Sequence, residues 1–397
     1  MSLPRVVLKA RRARPFFGMH PWVYAGAIDA IEGDPPDGAV VDVVSHGSSF
    51  IARGLYNSQS KIRVRLYTWS PDAPLDADFF REKLDSAIRL RRDILKLMGP
   101  KQACRLVFSE ADGLSGLTVD QFDRWLVVQF TSLALAQQRE MFADLLVELL
   151  QPEGIVLRTE RGIGQLEHLS LQDGALRGPS PPRSMVIEEH GRHIQIDLAE
   201  GQKTGYYLDQ RDNRLVVARL AQGRRMLDAF CYSGGFGLHA AHAGAASVLG
   251  VDSSEAALRL ARTNAELLNR LTNVTFEKSD VFAYLNQLAQ AKERFGVVVL
   301  DPPKFARTGS AVEEALRGYR RLVVQAIQLL ESNGILALCC CSGLITRDML
   351  HELLAQEAAH LRRPLQILES RGAAPDHPVS ATCPETQYLK CIVCRVV

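Results

Sequence analysis

The sequence predicts an α/β protein in which a doubly wound parallel sheet follows two smaller domains. Apolar, strand-length runs alternate with helical patterns over residues 185–397, as in open α/β sheets. Short alternating segments broken by turns fill residues 1–70, which is typical of a small β-barrel-like domain. Residues 71–184 combine a long helix with a few strands and predict a small α+β domain.

The first domain interleaves its strands with basic and aromatic residues. Its strand candidates are Arg5–Leu8, Trp22–Tyr24, Ala39–Val44, Phe50–Gly54 and Ile62–Leu66. Arg12 and Arg14 lie in a basic segment without acids, and Arg63 and Arg65 share one face of the last strand. Cations contact phosphates and aromatic planes stack on bases, so these four arginines are candidate RNA contacts. The alternatives are a solvated charge run and a generic barrel with an aromatic core.

The central domain begins with a helix candidate at Asp78–Leu97. Strand candidates follow at Leu117–Asp120, Trp125–Phe130 and Gly154–Arg158. The segment Gly178–Arg183 is polar and rich in proline, which is typical of a linker. The predicted domains are therefore 1–70, 71–184 and 185–397.

Five parallel strands are predicted in the last domain. They are Arg225–Asp228, Ser247–Asp252, Val274–Glu277, Gly296–Asp301 and Gly334–Cys339. Two further runs, Pro364–Leu368 and Leu389–Cys394, have no helix between them. They predict a hairpin at one edge of the sheet.

Composition argues for a globular cytosolic protein. The chain is 47% hydrophobic and 23% charged, and it contains no apolar run long enough to span a bilayer and no leader peptide. Three of the eight cysteines are consecutive, so we expect reduced thiols rather than disulfides. Cys391-x-x-Cys394 has no second cysteine pair at zinc spacing, and its apolar setting favours a buried strand over a metal site.

A candidate cofactor site lies where the first parallel strand turns into a helix. The segment Asp228–Gly237 is glycine-rich and includes Cys231, Ser233 and Gly234, and the next strand ends in Asp252. An acid there reaches ribose hydroxyls in nucleoside-binding sheets. After the third strand, Asp280 is positioned to accept from an adenine amino group, with Val281 or Phe282 against the ring. Asp280 also suits a helix N-cap.

The acid at the end of the first strand distinguishes between cofactors. A dinucleotide site needs Gly-x-Gly-x-x-Gly to hold a pyrophosphate, and this chain lacks that spacing. Asp228 disfavours a phosphate but suits the ammonium of an amino-acid group. The sequence therefore predicts S-adenosylmethionine rather than NAD.

The candidate reacting centre combines an Asp-Pro-Pro turn with a cysteine on the next strand. Asp301-Pro302-Pro303 follows a buried strand, and Cys341 follows the strand after it. Methylation at carbon 5 of cytosine needs a thiolate that adds at carbon 6, whereas amino-group methylation needs no cysteine. A cysteine at a strand end is more often packing than nucleophile, but Ser342-Gly343 places Cys341 at the ligand crevice.

At these residues the chain resembles the RlmI-type 23S ribosomal RNA cytosine-5 methyltransferases, and the resemblance spans almost its whole length. The matching segments are Glu188–Gly191, Lys203–Arg211, Asp301–Phe305, Cys341–Leu344, Asp376–Val379 and Tyr388–Lys390. The resemblance implies a PUA-like RNA-binding domain, a small central domain and a Rossmann-like class I methyltransferase domain. It also implies a 23S ribosomal RNA or large-subunit assembly intermediate as partner, and often a homodimer.

The resemblance further implies that Cys341 is the nucleophile and that Asp301 holds the cytosine edge. The predicted cofactor-binding residues are Tyr207, Gln210, Asp228, Cys231, Ser233, Gly234, Asp252, Ser253, Asp280 and Val281. Lys304 is a further candidate RNA contact, with solvent exposure as its alternative, and no metal is expected.

The triplet Cys339-Cys340-Cys341 departs from the single motif cysteine that the resemblance implies. Cys339 shares a strand face with Cys341 and is a candidate substitute, though deeper. The base that removes the carbon 5 proton is Asp301, a water or His377, and His377 also suits a loop brace.

Two other functions compete with cytosine-5 methylation. One is methylation of a guanine or adenine amino group in ribosomal RNA, with Cys341 structural. The other is a PUA-bearing ribosome assembly factor without catalysis, against which the acids Asp228, Asp252, Asp280 and Asp301 argue. The sequence identifies neither the modified nucleotide nor the oligomeric state.

Overall fold

The computed structural model describes residues 3–159, 162–198, 205–268, 273–306 and 309–397. Two compact units divide the chain. The first comprises Met1–Ile187, Asp197–Leu208 and Pro375–Thr386, and the second Glu188–Ile196, Asp209–Ala374 and Gln387–Val397. The motif predicted at Lys203–Arg211 begins outside the described residues. No described helix has both the length and the apolar character needed to cross a membrane.

A six-stranded sheet opens the first unit; it contains the five predicted strands and one more, Ile28–Glu32, that was not predicted. Its elements are β1 (Arg5–Leu8), α1 (Arg14–Phe17), β2 (Trp22–Tyr24), β3 (Ile28–Glu32), β4 (Val40–Val44), β5 (Phe50–Tyr56) and β6 (Ile62–Thr68). The strand order is β2-β6-β5-β4-β1-β3. Alternate residues such as Val41, Val43 and Val64 are fully buried in one cluster, because successive side chains of a strand point to opposite faces.

A five-stranded sheet with helices forms the rest of the first unit. The elements are α2 (Ala77–Arg89), β7 (Ala103–Phe108), β8 (Leu117–Phe122), β9 (Trp125–Phe130), α3 (Leu133–Gln137), α4 (Arg139–Leu150), β10 (Gly154–Leu157), α5 (Ile163–Glu167) and β11 (Gly174–Arg177). The strand order is β11-β10-β9-β8-β7. Asp76 caps α2 by accepting from the Phe79 N–H. The predicted boundaries at residues 70 and 184 stay a prediction.

The helix predicted to reach Leu97 ends earlier, because a π-helical turn follows it. This turn spans Leu90–Ile94 and places Arg91 in the interior. The Arg91 guanidinium lies 2.6 Å from an Asp112 carboxylate oxygen and donates to the Asp376 carbonyl at 2.7 Å. A helical periodicity continues through such a turn, so the sequence alone does not reveal it.

Removing Arg91 is expected to destabilise the first unit strongly. Arg91→Ala leaves the nearly buried Asp112 carboxylate without its cation, which costs about 3–5 kcal/mol of unfolding free energy. Among the described residues the neighbouring Arg92 pairs with Asp93 alone, at the surface, so Arg92→Ala is the matched control and is expected to change little. Urea denaturation of both variants measures the difference, and equal stabilities would contradict this role for Arg91.

The second unit is built on a seven-stranded sheet beside a small two-stranded sheet. The elements are β12 (Met185–Glu189), β13 (Arg192–Ile196), α6 (Arg211–Leu220), β14 (Arg225–Ala229), α7 (Gly235–His242), β15 (Ser247–Asp252), α8 (Glu255–Leu267), β16 (Val274–Lys278), α9 (Val281–Gln290), β17 (Phe295–Leu300), α10 (Val312–Leu329), β18 (Leu330–Cys340), α11 (Arg347–His360), β19 (Leu365–Arg371) and β20 (Lys390–Val396). All five predicted parallel strands are present.

The order of the large sheet is β16-β15-β14-β17-β18-β20-β19. The chain runs outward from β14 to β16 and then returns to the other side of β14, which makes the β14–β17 junction a switch point. β20 is antiparallel to both β18 and β19, so the predicted edge hairpin is confirmed as an antiparallel pair. Ligand crevices of open α/β sheets lie at the carboxyl ends of the strands beside such a point.

Candidate cofactor and catalytic site

The carboxyl ends of β14, β15 and β17 bring the predicted acids to one edge of the sheet. Asp228 of β14 lies beside Gly250 of β15 and Val299 of β17 in the strand register. Asp301 follows β17 directly, and its backbone N–H donates to the Ala229 carbonyl at 3.3 Å. These contacts place Asp228 and Asp301 at the same switch point.

The loop after β14 adopts a strained backbone. Phe230 and Tyr232 have φ angles of 64° and 50°, in the left-handed region that side chains other than glycine rarely occupy. Gly234 has a φ of 84°, and a Cβ there would lie 2.9 Å from Leu238. Such strain persists only where surrounding contacts hold it, and it concentrates at ligand sites.

The surroundings of Asp228 strongly perturb its carboxylate. One carboxylate oxygen accepts from the Gly237 N–H at 2.8 Å, while Oδ1 is buried without a hydrogen-bond partner among the described residues. Burial, together with repulsion from Asp301 and Asp252, raises the pKa of Asp228 to about 7. An orphaned buried carboxylate oxygen fits the ammonium of an amino-acid group.

Asp252 and Asp280 order the loops at the ends of β15 and β16. Asp252 accepts from the backbone N–H groups of Tyr232 and Ser254, at 2.9 and 2.8 Å. Asp280 is exposed and caps α9 by accepting from the Ala283 N–H at 2.9 Å. The N-cap alternative for Asp280 is therefore confirmed. The cap uses one of the two Asp280 carboxylate oxygens.

The remaining predicted cofactor residues differ in exposure. Cys231, Ser233, Gln210 and Val281 are buried, and burial raises the pKa of the Cys231 thiol well above its usual range. Ser253 is exposed at the end of β15. Tyr207 is half-buried and belongs to the first unit.

Of the three consecutive cysteines, Cys341 is partly exposed, whereas Cys339 and Cys340 are fully buried. β18 ends at Cys340, so the strand face predicted to join Cys339 and Cys341 does not extend to Cys341. A hydrogen bond with Cys391, together with burial, raises the pKa of the Cys339 thiol well above its usual range. Cys339 is thus poorly suited to replace Cys341 as a thiolate.

The turn that carries Cys341 is tied to the Asp-Pro-Pro loop. The buried Ser342 hydroxyl donates to the Ala306 carbonyl at 3.1 Å. Lys304 in the same loop is exposed. This hydrogen bond therefore joins the Asp-Pro-Pro loop after β17 to the turn after β18.

Sequence reasoning named Phe282 as a candidate against the adenine ring but missed the aromatic group to which it belongs. Phe282 lies 6.3 Å from both Phe230 and Phe305, measured between ring centroids, and Phe305 lies 5.1 Å from Tyr319. Phe230 and Phe305 lie inside the two motifs that predicted the site, and this position is the sequence feature that could have indicated the aromatic group. Aromatic faces of this kind suit a flat heterocycle.

Sequence reasoning also missed a buried charge cluster under the glycine-rich loop. Arg214 donates to both Glu189 carboxylate oxygens at 2.9 Å, and His239 Nε2 lies 3.2 Å from Glu189. Burial alone would raise the pKa of Glu189, but Arg214 and His239 outweigh it and hold that pKa well below its usual range. A Cβ at Gly235 would lie 2.7 Å from the Arg214 guanidinium, so the loop and the cluster are closely packed.

The candidate RNA contacts of the first unit do not share one environment. Arg12 and Arg14 are exposed and Arg63 is half-buried. Arg65 is buried and pairs with Glu110 at 3.2 Å and Glu167 at 3.0 Å. The structure does not support an RNA contact for Arg65, because two carboxylates hold its guanidinium inside the unit.

His377, one of the candidate bases, lies in the first unit and is buried. Its Nδ1 is 3.0 Å from an Asp376 carboxylate oxygen, and its ring centroid is 5.2 Å from that of Phe108. Asp376 also accepts from the Arg105 N–H at 2.9 Å. These contacts favour the loop brace over the base.

One group of described residues has a metal-ligand composition, although no metal was expected. His20, Cys383 and Glu385 bring their ligand atoms within 4.8 Å of one another. The Trp22 N–H donates to His20 Nδ1 at 3.2 Å, which leaves the ring proton on Nε2, the atom that faces Glu385. As arranged, the group is a hydrogen-bonded cluster around Glu385.

Comparison with known proteins identifies the family. A family model described as S-adenosylmethionine-dependent methyltransferase matches residues 166–386, and one described as PUA-like domain matches residues 6–69. Ribosomal RNA large subunit methyltransferase I of Escherichia coli O127:H6 is 39% identical over 395 residues, which cover 99% of each chain. This chain belongs to the S-adenosylmethionine-dependent methyltransferase family. The relative of the same name from Escherichia coli K12 matches to the same extent.

Solved structures share the fold of this methyltransferase. A putative methyltransferase complexed with SAH superposes with a TM-score of 0.86 at 19% identity, covering 99% of this chain and 100% of that one. A putative SAM-dependent methyltransferase from Streptococcus mutans superposes with a TM-score of 0.85 at 18% identity, with the same coverage. The predicted Rossmann-like fold, the N-terminal PUA-like domain and the cofactor S-adenosylmethionine are thereby confirmed.

Proposed function

We propose that this methyltransferase modifies carbon 5 of a cytidine in large-subunit ribosomal RNA through a covalent adduct with Cys341. The observation that carries the proposal is the position of Cys341. It is the partly exposed member of the cysteine triplet, and its turn is tied to the loop of Asp301. The name of the relatives that match 99% of the chain supports ribosomal RNA as the substrate class.

Carbon 5 of the aromatic ring is a poor nucleophile, and the addition of Cys341 to the ring makes it a better one. The Cys341 thiolate forms a bond to carbon 6, and the electron pair of the 5,6 double bond moves to carbon 5. After carbon 5 has gained its methyl group, Asp301 or a water that it holds takes the carbon 5 proton. The electrons of that C–H bond restore the double bond and expel the Cys341 thiolate.

S-adenosylmethionine supplies an electrophilic methyl group on a sulfonium when it is bound. In this proposal the orphaned Asp228 oxygen holds the ammonium, Asp252 the ribose and Asp280 the adenine amino group. The other proposed contacts are Tyr207, Gln210, Cys231, Ser233, Gly234, Ser253 and Val281.

The exposed basic residues are the proposed RNA contacts. Arg12 and Arg14 of the PUA-like domain reach phosphates, and Lys304 does so from the Asp-Pro-Pro loop. The half-buried Arg63 of β6 is a further proposed contact. The homodimer and the cytoplasmic localisation stay predictions.

A trapped adduct tests the proposal directly. Large-subunit RNA containing 5-fluorocytidine cannot lose its carbon 5 substituent, so the enzyme stays bound through the cysteine. We expect wild type and Cys340→Ala, incubated with S-adenosylmethionine, to shift into a covalent RNA complex on a denaturing gel, and Cys341→Ala to give none.

Other outcomes reject parts of the proposal. Methyl transfer to unmodified RNA without any adduct would favour amino-group methylation. An adduct in Cys341→Ala would move the nucleophile to Cys339 or Cys340. Absence of S-adenosylmethionine binding in equilibrium dialysis would contradict an enzymatic role.

A further inference from the structure

Lys390 is a buried lysine at the start of β20. Only 3% of its surface is exposed, and its ammonium donates to the Ser342 carbonyl at 2.5 Å and to the Tyr388 carbonyl at 2.9 Å. Both acceptors are backbone carbonyls, and no described carboxylate forms an ion pair with this ammonium. Lysine is almost never buried without a charged partner, so its position calls for a reason.

The lysine holds the turn that carries Cys341. Lys390 is the cross-strand partner of Cys340, the last residue of β18. Ser342 is held at its carbonyl by Lys390 and by the Ile345 N–H, and at its hydroxyl by the Ala306 carbonyl. Cys341 therefore lies between two residues whose backbone positions are fixed.

The charges around this turn couple Lys390 to the cysteines. Burial lowers the pKa of Lys390, whereas negative charge on Cys340 or Cys341 raises it. Interaction energies are reciprocal, so a buried ammonium favours a thiolate that lies near it.

Other charged and titratable groups also face this turn. Arg347 of α11 and Lys304 of the Asp-Pro-Pro loop are cations that lower the pKa of Lys390. Tyr319 of α10 faces Cys340, Cys341 and Asp301, and burial raises its pKa so far that it stays neutral. Asp301 opposes a second negative charge at this edge.

We infer that Lys390 is a positioning residue for Cys341. It holds the turn through its hydrogen bond to the Ser342 carbonyl, and its charge favours the Cys341 thiolate. In this role the Cys341 thiol proton leaves to water, and Lys390 does not accept it. The inference rests on the proposed function, in which Cys341 is the nucleophile.

The test is the pH dependence of Cys341 reactivity in the full chain. Lys390→Met keeps the length of the side chain without its charge, Lys390→Arg keeps the charge, and Lys278→Met on the exposed edge strand is the control. Alkylation by iodoacetamide is followed for the Cys341 peptide by mass spectrometry from pH 6 to 10. Turnover and the KM for S-adenosylmethionine are measured beside it.

We expect the pH of half-maximal alkylation to rise by about one unit or more in Lys390→Met, with about tenfold slower alkylation at pH 7. Turnover should fall in parallel while the KM for the cofactor changes little. Lys390→Arg should recover part of both losses, and Lys278→Met should match wild type.

An unchanged alkylation profile in Lys390→Met would overturn the inference. Cofactor binding by dialysis reports whether this variant is folded. If it is not, Lys390→Gln, which keeps a donor for the Ser342 carbonyl, takes its place in the same measurement. If wild type forms no RNA adduct while alkylation still depends on Lys390, the proposed function fails alone.

Discussion

Cys341→Ala is expected to abolish methyl transfer to ribosomal RNA, with a loss of about a thousandfold or more in turnover. The other active-site groups can orient the base, but they cannot supply the electron pair that makes carbon 5 nucleophilic. Cofactor binding should be unchanged, because most of the cofactor candidates lie at the ends of β14, β15 and β16. Transfer of labelled methyl groups to RNA in single-turnover conditions measures the loss.

The neighbouring cysteines provide matched controls for this substitution. Cys340→Ala and Cys339→Ala remove thiols that are fully buried, so they are expected to lower stability modestly and to retain methyl transfer. Activity in Cys341→Ala that stays within tenfold of wild type would contradict covalent catalysis by this residue.

Asp228→Asn is expected to weaken S-adenosylmethionine binding about 10- to 100-fold at pH 8. The substitution is nearly isosteric and keeps an acceptor for the Gly237 N–H, but it removes the charge that faces the ammonium. In wild type the affinity should fall as the pH drops below about 7, because Asp228 then takes up a proton. In the variant this dependence should disappear. Isothermal titration across pH 5.5 to 8.5 distinguishes the two.

In the cofactor-free protein, Asp228→Asn is expected to raise stability at neutral pH, although it weakens cofactor binding. The pKa of Asp228 rises from 3.8 to about 7 on folding, so the folded state binds the proton more tightly than the unfolded chain. This contribution is fully present below pH 3.8 and is lost as the pH rises to about 7, up to about 4 kcal/mol. Wild type should therefore lose stability relative to Asp228→Asn between about pH 4 and 7. Exposed Asp348→Asn is the control, and parallel curves for all three would contradict a buried Asp228 charge.

The sheet of the second unit was predictable because its strands are continuous apolar runs that end in polar residues. Asp228, Asp252 and Asp301 each mark such an end, and parallel strands bring their ends to one edge. The positions of these apolar runs and of their polar ends therefore predicted both the sheet and the acids of the site. The packing of other aromatic rings around Phe282 was not predictable, because it depends on how two loops pack against α9 and α10.

Arg65 shows where a strand pattern stops being informative. Alternation placed Arg63 and Arg65 on one face of β6, but it did not reveal what covers that face. Glu110 and Glu167, which pair with Arg65, lie far along the chain. The assignment of Pro375–Thr386 to the first unit has the same cause, since contacts such as Asp376 with Arg105 join distant segments.

The interior position of β20 sets the order in which this sheet becomes complete during translation. β18 ends at Cys340 and its neighbour β20 begins at Lys390, so 49 residues lie between the two strands. At about 5–20 residues per second, the ribosome needs roughly 3–10 s to supply the partner strand. Until then β18 is an unpaired edge strand, and the turn of Cys341 lacks the hydrogen bond from Lys390 to the Ser342 carbonyl. A nascent chain is therefore inactive and exposed to misplaced strand pairing until its last strand has emerged.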